Sequence, residues 1–215
     1  ATFAAMVTRL DKQVGEIVAT LKAQGLDKNT MLFFSSDNGP HQEGGANPDF
    51  FKSYGPFRGV KRDLYEGGIR LPLIAYSPGK IKAGVINNQV CAMWDMMPTL
   101  AKVAGVKLPK NLKTDGLSIL PSLTGKGKQK QHEFLYWEFH EQGGKIAMRK
   151  GDWKLIVLNV LKSNNPKTEL YNLATDIHED NNVAAQHPEM VKELLQLMKN
   201  ARIESEIFKF NSETK

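Results

Sequence analysis

From the start of the chain, apolar residues recur at spacings of three and four. Phe3, Met6, Val7, Leu10, Val14, Ile17, Val18 and Leu21 form this series, with Arg9, Asp11, Lys12, Gln13 and Lys22 between them. That period predicts an amphipathic helix, and Gly25 supplies its stop signal. The pattern then changes to a short continuous run, Met31-Leu32-Phe33-Phe34, closed by Ser35-Ser36-Asp37-Asn38-Gly39-Pro40. A run of this kind predicts a strand buried on both faces of a sheet. Leu71 to Tyr76 predicts another strand, entered through Pro72 and ended by Ser77-Pro78-Gly79. Met93 to Ala104 reads as a helix stopped by Gly105. Helix and buried strand in succession predict an α/β layer, and Asp37 and Asn38 fall at the carboxyl end of its first strand, where ligands gather in open α/β sheets.

The second part has a different texture. Phe134–Phe139, Lys145–Arg149, Trp153–Leu158 and Glu169–Asn172 are short strand-like runs split by Gly143-Gly144 and Gly151-Asp152. They predict an antiparallel meander. A last helical stripe follows, with Met190, Val191, Leu194, Leu195, Met198 and Ile203 on one side and Pro188 in its first turn. Two segments carry no periodicity. Gln42 to Gly68 reads as a long Gly- and Pro-containing loop, which at this length is functional or disordered. Val106 to Gln131, with Lys107, Lys110, Lys113, Lys126, Lys128 and Lys130, reads as a linker or long connection. The expected organisation is an α/β part over residues 1–125 and a small antiparallel α+β subdomain over 126–215.

Composition changes this picture little. With 41% hydrophobic and 24% charged residues among 215, the chain can bury an ordinary core. Lys and Arg exceed Asp and Glu by 29 to 23, a net charge of +6 that favours anionic partners. No aromatic residues interleave with the basic segment, and there is no GxxxxGK[ST] loop, so nucleic acid and nucleotide phosphates are not the expected partners. Cys91 is the single cysteine, so no internal disulfide is possible. No apolar run reaches the length of a membrane span. The chain opens directly into a helical pattern, without Met or a signal peptide, and the expectation is that its natural beginning lies further upstream.

The chemistry concentrates in the first part. Asp37 and Asn38 present side-chain oxygens that suit a hard cation such as calcium or magnesium, or else form a plain Asx turn. Lys61, within Phe57-Arg58-Gly59-Val60-Lys61-Arg62-Asp63-Leu64-Tyr65-Glu66-Gly67-Gly68-Ile69-Arg70, is either a point charge for an anion or a solvated cation. His41 lies near the Asp37-Asn38 pair and could face the same cleft, or be an exposed loop imidazole. His132, His140, His178 and His187 form no metal-ligand spacing and read as structural. A serine-hydrolase elbow of the GxSxG type is absent.

Several blocks resemble the formylglycine-dependent sulfatases of the alkaline phosphatase superfamily. Ser36-Asp37-Asn38-Gly39 is similar to the family signature, and Gly59-Val60-Lys61 through Glu66-Gly67-Gly68-Ile69-Arg70-Leu71-Pro72 to the block after it. The opening helix, Trp94-Asp95-Met96-Met97-Pro98-Thr99-Leu100, Arg149-Lys150-Gly151-Asp152-Trp153-Lys154-Leu155 and Glu169-Leu170-Tyr171-Asn172-Leu173 resemble further blocks in family order. The resemblance implies an alkaline-phosphatase-like sheet with flanking helices, a divalent cation, usually calcium, on Asp37 and Asn38, and a sulfate contact for Lys61. A substrate role for His41 is a weaker extension of the same likeness.

The chain departs from the family pattern in one respect. The nucleophile motif C/S-x-P/A-x-R, whose Cys or Ser becomes formylglycine, occurs nowhere in the sequence, and Cys91-Ala92-Met93-Trp94-Asp95 does not meet it. The family places this motif and the remaining acidic ligands upstream of the signature. The expectation is therefore the C-terminal part of a sulfuric ester hydrolase, inactive by itself, acting in its complete form on a sulfated small molecule or glycan. A truncated α/β domain would expose apolar surface and self-associate. Family members of this type are often exported. Two other readings stay open: a phosphodiesterase or phosphonate hydrolase of the same superfamily, and a non-catalytic paralogue that binds sulfated glycans.

Overall fold

The computed structural model describes residues 2–162 and 165–209. They divide into two compact units. One unit comprises residues up to Ser35 together with Pro72–His132, and the other comprises Ser36–Leu71 together with the residues from Glu133 onward.

In the first unit the opening periodicity becomes helix α1, Thr2–Ala23. Its apolar stripe is largely uncovered: no residue of α1 is buried, Met6 is 65% and Val7 50% exposed, and only Val14, Val18 and Leu21 of the stripe are half-buried. Strands β1 (Leu32–Ser35) and β2 (Leu73–Tyr76) pair antiparallel, with Phe33 opposite Ala75. The sequence predicts burial of β1 on both faces, but β1 is half-buried. A two-stranded ribbon of four residues per strand has too little neighbouring structure to cover both sides.

The remainder of this unit is organised by Asp95, which is fully buried. It closes a 3₁₀ turn, Met93–Asp95, ahead of helix α4, Met96–Val103. One carboxylate oxygen accepts from Leu117 N at 2.6 Å and the other from Ala92 N at 2.8 Å. His132 Nε2 lies 2.9 Å from both oxygens. Thr99 extends the cluster, donating to Asp95 O and accepting from Ile119 N. These bonds hold the lysine-rich segment, which is not a bare linker but carries the short helix α5, Leu120–Thr124. Asp95→Asn removes one charged acceptor from this buried set and is expected to cost about 1–3 kcal/mol, read as a lowered denaturation midpoint. An unchanged midpoint would show that the cluster contributes nothing to stability.

The second unit is built on a four-stranded antiparallel meander in the order β3 (Leu135–Phe139), β4 (Lys145–Lys150), β5 (Trp153–Leu158) and β6 (Lys167–Asn172). Because successive side chains alternate between faces, each strand serves two cores. Met148, Leu155, Val157 and Leu170 pack with Leu194 and Met198 of helix α6, Pro188–Ala201. Ala147, Ile156 and Tyr171, on the opposite face, pack with Leu64 and Tyr65. That second face is covered by the segment expected to be a structureless loop. The segment contains two single-turn helices, α2 (Pro48–Phe51) and α3 (Glu66–Ile69). Asn47 starts α2 by accepting from the N–H groups of Asp49 and Phe50, with Pro48 set in the first turn. Among the described residues, no helix is long and apolar enough to cross a membrane.

Candidate functional site

Asp37, Asn38, His41 and Lys61 all lie in the second unit, on two adjoining stretches of loop. The stretches are joined through their backbones. Gly39 N donates to Gly68 O at 2.9 Å, and Lys61 N donates to Pro40 O at 2.7 Å. The approach is close enough to require glycine. A Cβ on Gly39 would stand 2.0 Å from Gly67 O, and one on Gly67 would stand 2.3 Å from Gly59 O. The glycines of the Ser36–Gly39 and Glu66–Gly68 blocks therefore allow the Asp37-Asn38 loop and the Lys61 loop to meet.

Asp37 is exposed and its carboxylate has no hydrogen bond or ion pair among the described residues. Asn38 is half-buried, its Nδ2 donating to Gly39 O at 2.9 Å, which leaves the side-chain oxygen unused. The Lys61 ammonium likewise has no hydrogen-bonding or ion-pair partner, though its charge helps hold the Glu43 carboxyl below its ordinary value, an effect led by the bonded Arg62. His41 is exposed, and its Nδ1 accepts from Glu43 N at 3.0 Å, closing a local turn. The structure thus brings Asp37, Asn38 and Lys61 onto one backbone junction, with the charged ends of Asp37 and Lys61 unpaired among the described residues. It gives His41 a turn-forming contact. The other four histidines have neighbours of their own, for example His132 on Asp95 and His187 against the Trp153 ring.

Two oxygen donors of this type fit a hard cation in chemistry but not in number, since calcium takes six to eight. No group of three or more His, Cys, Asp or Glu is arranged for a metal among the described residues. Asp37 and Asn38 can contribute part of such a site.

The segment that carries Lys61 is held by a set of charges that is not apparent from the motifs. Lys154 of β5 is fully buried, 2.8 Å from Glu66 Oε1 and 3.0 Å from Glu179 Oε1. Glu179 Oε2 accepts from Glu66 N at 2.6 Å. Arg149 approaches Glu66 at 3.6 Å. Glu169 of β6 accepts from Tyr65 OH at 2.6 Å and from Tyr171 OH at 2.8 Å. Arg58 donates to Glu179 O at 2.7 Å and sits 4.1 Å over the Tyr65 ring. Lys145 of β4 donates to Arg62 O at 2.8 Å and to Asp63 at 3.1 Å. By the strand registers, Lys145, Arg149, Lys154, Glu169 and Tyr171 share one face of the sheet. That face is a polar dock for residues 58–69.

Burial pushes the Glu66 carboxyl up, but Lys154, Arg149 and Arg70 together outweigh it and leave the group below its ordinary 4.5. Glu169 is also lowered, because Lys167 and the two tyrosine hydroxyls outweigh its burial. Glu179 goes the other way, since burial exceeds the pull of Lys154. A carboxyl lowered in the folded state stabilises above its unfolded value, and that contribution is lost as pH falls through its folded value. Glu179, being raised, contributes with the opposite sign, its share lost as pH rises through its folded value. With Glu66, Glu169 and the exposed Glu43 lowered against Glu179 raised, the melting temperature is expected to drop as pH is taken from 5.5 to 3.5, and Glu66→Gln is expected to flatten the drop. A melting temperature that holds or rises over that range would contradict the balance drawn here.

Residues 1–106 match the family described as sulfatase, and residues 54–205 match the family described as N-sulphoglucosamine sulphohydrolase, C-terminal. An N-acetylgalactosamine-6-O-sulfatase of Bacteroides thetaiotaomicron is 31% identical over 92% of this chain, but the match covers 41% of that protein. A solved structure of Ps i-CgsB in complex with k-i-k-neocarrahexaose superposes with a TM-score of 0.77 at 28% identity, over 93% of this chain and 42% of its own. Another, in complex with its substrate D-glucosamine-2-N,6-O-disulfate, has a TM-score of 0.71 at 27% identity, over 91% of this chain and 38% of its own. The chain spans about two fifths of the length of these relatives.

Proposed function

The chain belongs to the sulfatase family, and on that premise we propose that it forms the C-terminal part of an enzyme that hydrolyses sulfate esters. On this reading, residues 1–125 belong to the α/β catalytic domain and 126–215 to its antiparallel subdomain. The observation that carries the proposal is the backbone junction at Gly39 and Gly68, which brings Lys61, unpaired among the described residues, to the Asp37-Asn38 loop.

Lys61 places a positive charge against the sulfate, countering the negative charge that builds on its oxygens and on the departing alcohol oxygen. Asp37 and Asn38 hold part of a calcium site, with further acidic ligands and a formylglycine nucleophile supplied from outside these 215 residues. When bound, the cation would add electrostatic stabilisation at the sulfate. His41 is assigned, less centrally, to contact with the sugar or alcohol part of the substrate. The substrate class is a sulfated glycan or small sulfate ester, in line with the disulfated glucosamine bound by one structural relative.

The test is sulfate release from an aryl sulfate and from sulfated saccharides by the complete enzyme and by this chain alone. The complete enzyme is expected to release sulfate, with turnover sensitive to Asp37→Ala, and the 215-residue chain to release none. Turnover by the isolated chain would overturn the assignment of the nucleophile. Cleavage of a phosphate diester or phosphonate with no sulfate release would favour the other hydrolases of the superfamily. Binding of a sulfated oligosaccharide without cleavage would favour a glycan-binding role. The uncovered stripe of α1 is also expected to make the isolated chain self-associate, so light scattering should give a mass above 24.0 kDa. A clean monomer would contradict this.

A further inference from the structure

The sheet face that grips residues 58–69 is more polar than stability requires. A fully buried Lys154 with two buried carboxylates involves a desolvation penalty that apolar residues of the same volume would avoid. Such a set fixes one arrangement in preference to others, because each charge is satisfied only when all partners are in place. The arrangement it fixes is the loop carrying Lys61. Glu66 sits five residues after that lysine and is bound by Lys154, while Arg62 and Asp63, one and two residues after it, are bound by Lys145. Among the described residues, Lys61 makes a backbone bond to Pro40, and its ammonium has no hydrogen-bonding or ion-pair partner. Arg62 adopts φ +77°, a left-handed conformation that a bulky residue holds only when its surroundings impose it. Arg62 lies in the turn closed by Asp63 N on Val60 O, and Lys145 braces that turn by donating to the Arg62 carbonyl and to the Asp63 carboxylate.

We infer that Lys145 and Lys154, on adjacent strands, are positioning residues for the sulfate-binding Lys61. Neither touches the substrate. They act by holding the 60–66 backbone so that the Lys61 ammonium stays beside the Asp37-Asn38 loop. The inference rests on the proposed sulfate contact of Lys61.

The experiment is an inorganic sulfate titration of the 215-residue chain carrying ¹³C-labelled lysine, followed by NMR, for the native sequence, Lys61→Ala, Lys145→Met, and Lys61→Ala with Lys145→Met. Lys145 is largely covered but belongs to neither apolar core, and methionine keeps its volume, so Lys145→Met is expected to fold. It is expected to weaken sulfate binding about tenfold, the scale of a small misplacement of a charged group. In the Lys61→Ala background the same change is expected to have no further effect, a readout that general loosening of the fold would not give. Lys154→Met is the second variant, scored only if its melting curve shows it folded, with the same expected pattern. Native-like sulfate binding by Lys145→Met, or an equal loss with and without Lys61, overturns the positioning role. Native-like binding by Lys61→Ala overturns the sulfate contact itself, and the positioning role with it. Loss on Lys61→Ala together with no loss on Lys145→Met removes the positioning role alone.

Discussion

Lys61→Ala is expected to lower sulfate-ester hydrolysis by the complete enzyme about 10²- to 10³-fold, mainly in kcat, the range found when one preorganised electrostatic stabiliser is removed. The reasoning starts from isolation. Among the described residues, Lys61 forms no ion pair, while neighbouring cations are engaged: Arg62 with Glu43, Lys145 with Asp63, and Arg58 with the Glu179 carbonyl. A lysine left free at a junction of fixed backbone is available for an anion from outside. If the ammonium acts on charge that develops as the ester bond breaks, kcat falls more than binding weakens. Steady-state assays that separate kcat from KM decide the matter. A variant with unchanged kcat and a raised KM would make Lys61 a binding residue only, and a variant with native kinetics would remove it from the site.

Lys154→Ala is expected to cost about 3–5 kcal/mol in denaturant unfolding, the range for breaking a buried ion pair from one side. Glu66 would retain Arg149 at 3.6 Å and Arg70 at 3.4 Å, but Glu179 would lose its only ion-pair partner among the described residues. Lys154 is fully buried opposite Tyr171 in the register with β6, so truncation of its side chain also adds a cavity. Lys154→Met refills the volume without the charge and is expected to be the milder of the two. A loss below 1 kcal/mol for the alanine variant would mean that Arg149 or Arg70 moves into the vacated place and that the triad is not rigid.

Much of this was legible in the sequence, for identifiable reasons. The 3–4 spacing from Phe3 to Leu21 and the stripe from Met190 to Met198 became α1 and α6, because long periodic segments leave few alternatives. Gly143-Gly144 and Gly151-Asp152 separated β3, β4 and β5 as turn residues should. Other features depend on partners distant in the chain. That β1 pairs antiparallel with β2 is not written in either strand. Helix α5 has one turn, shorter than any period can reveal, and exists because Asp95 and Thr99 hold the residues before it. The polar dock did leave a mark. In Trp153-Lys154-Leu155-Ile156-Val157-Leu158, the residues before and after Lys154 are apolar on both alternating rows, so the strand must be covered on both faces and its lysine must be buried and paired. Which carboxylates pair with it could not be read, because Glu66 and Glu179 lie far from it in sequence.

That distance also sets an order of events. The meander from Leu135 to Asn172 pairs each strand with the next and can form from local contacts, which close quickly. The contacts that fix the Lys61 loop span 88 residues from Glu66 to Lys154 and 121 from Arg58 to Glu179. During synthesis at roughly 5–20 residues per second, the loop leaves the ribosome several seconds before its last anchor exists. The sheet becomes the template and the reactive loop the late arrival. In the folded protein the loop's amides should be among the first in this unit to exchange with solvent, well ahead of those in β5.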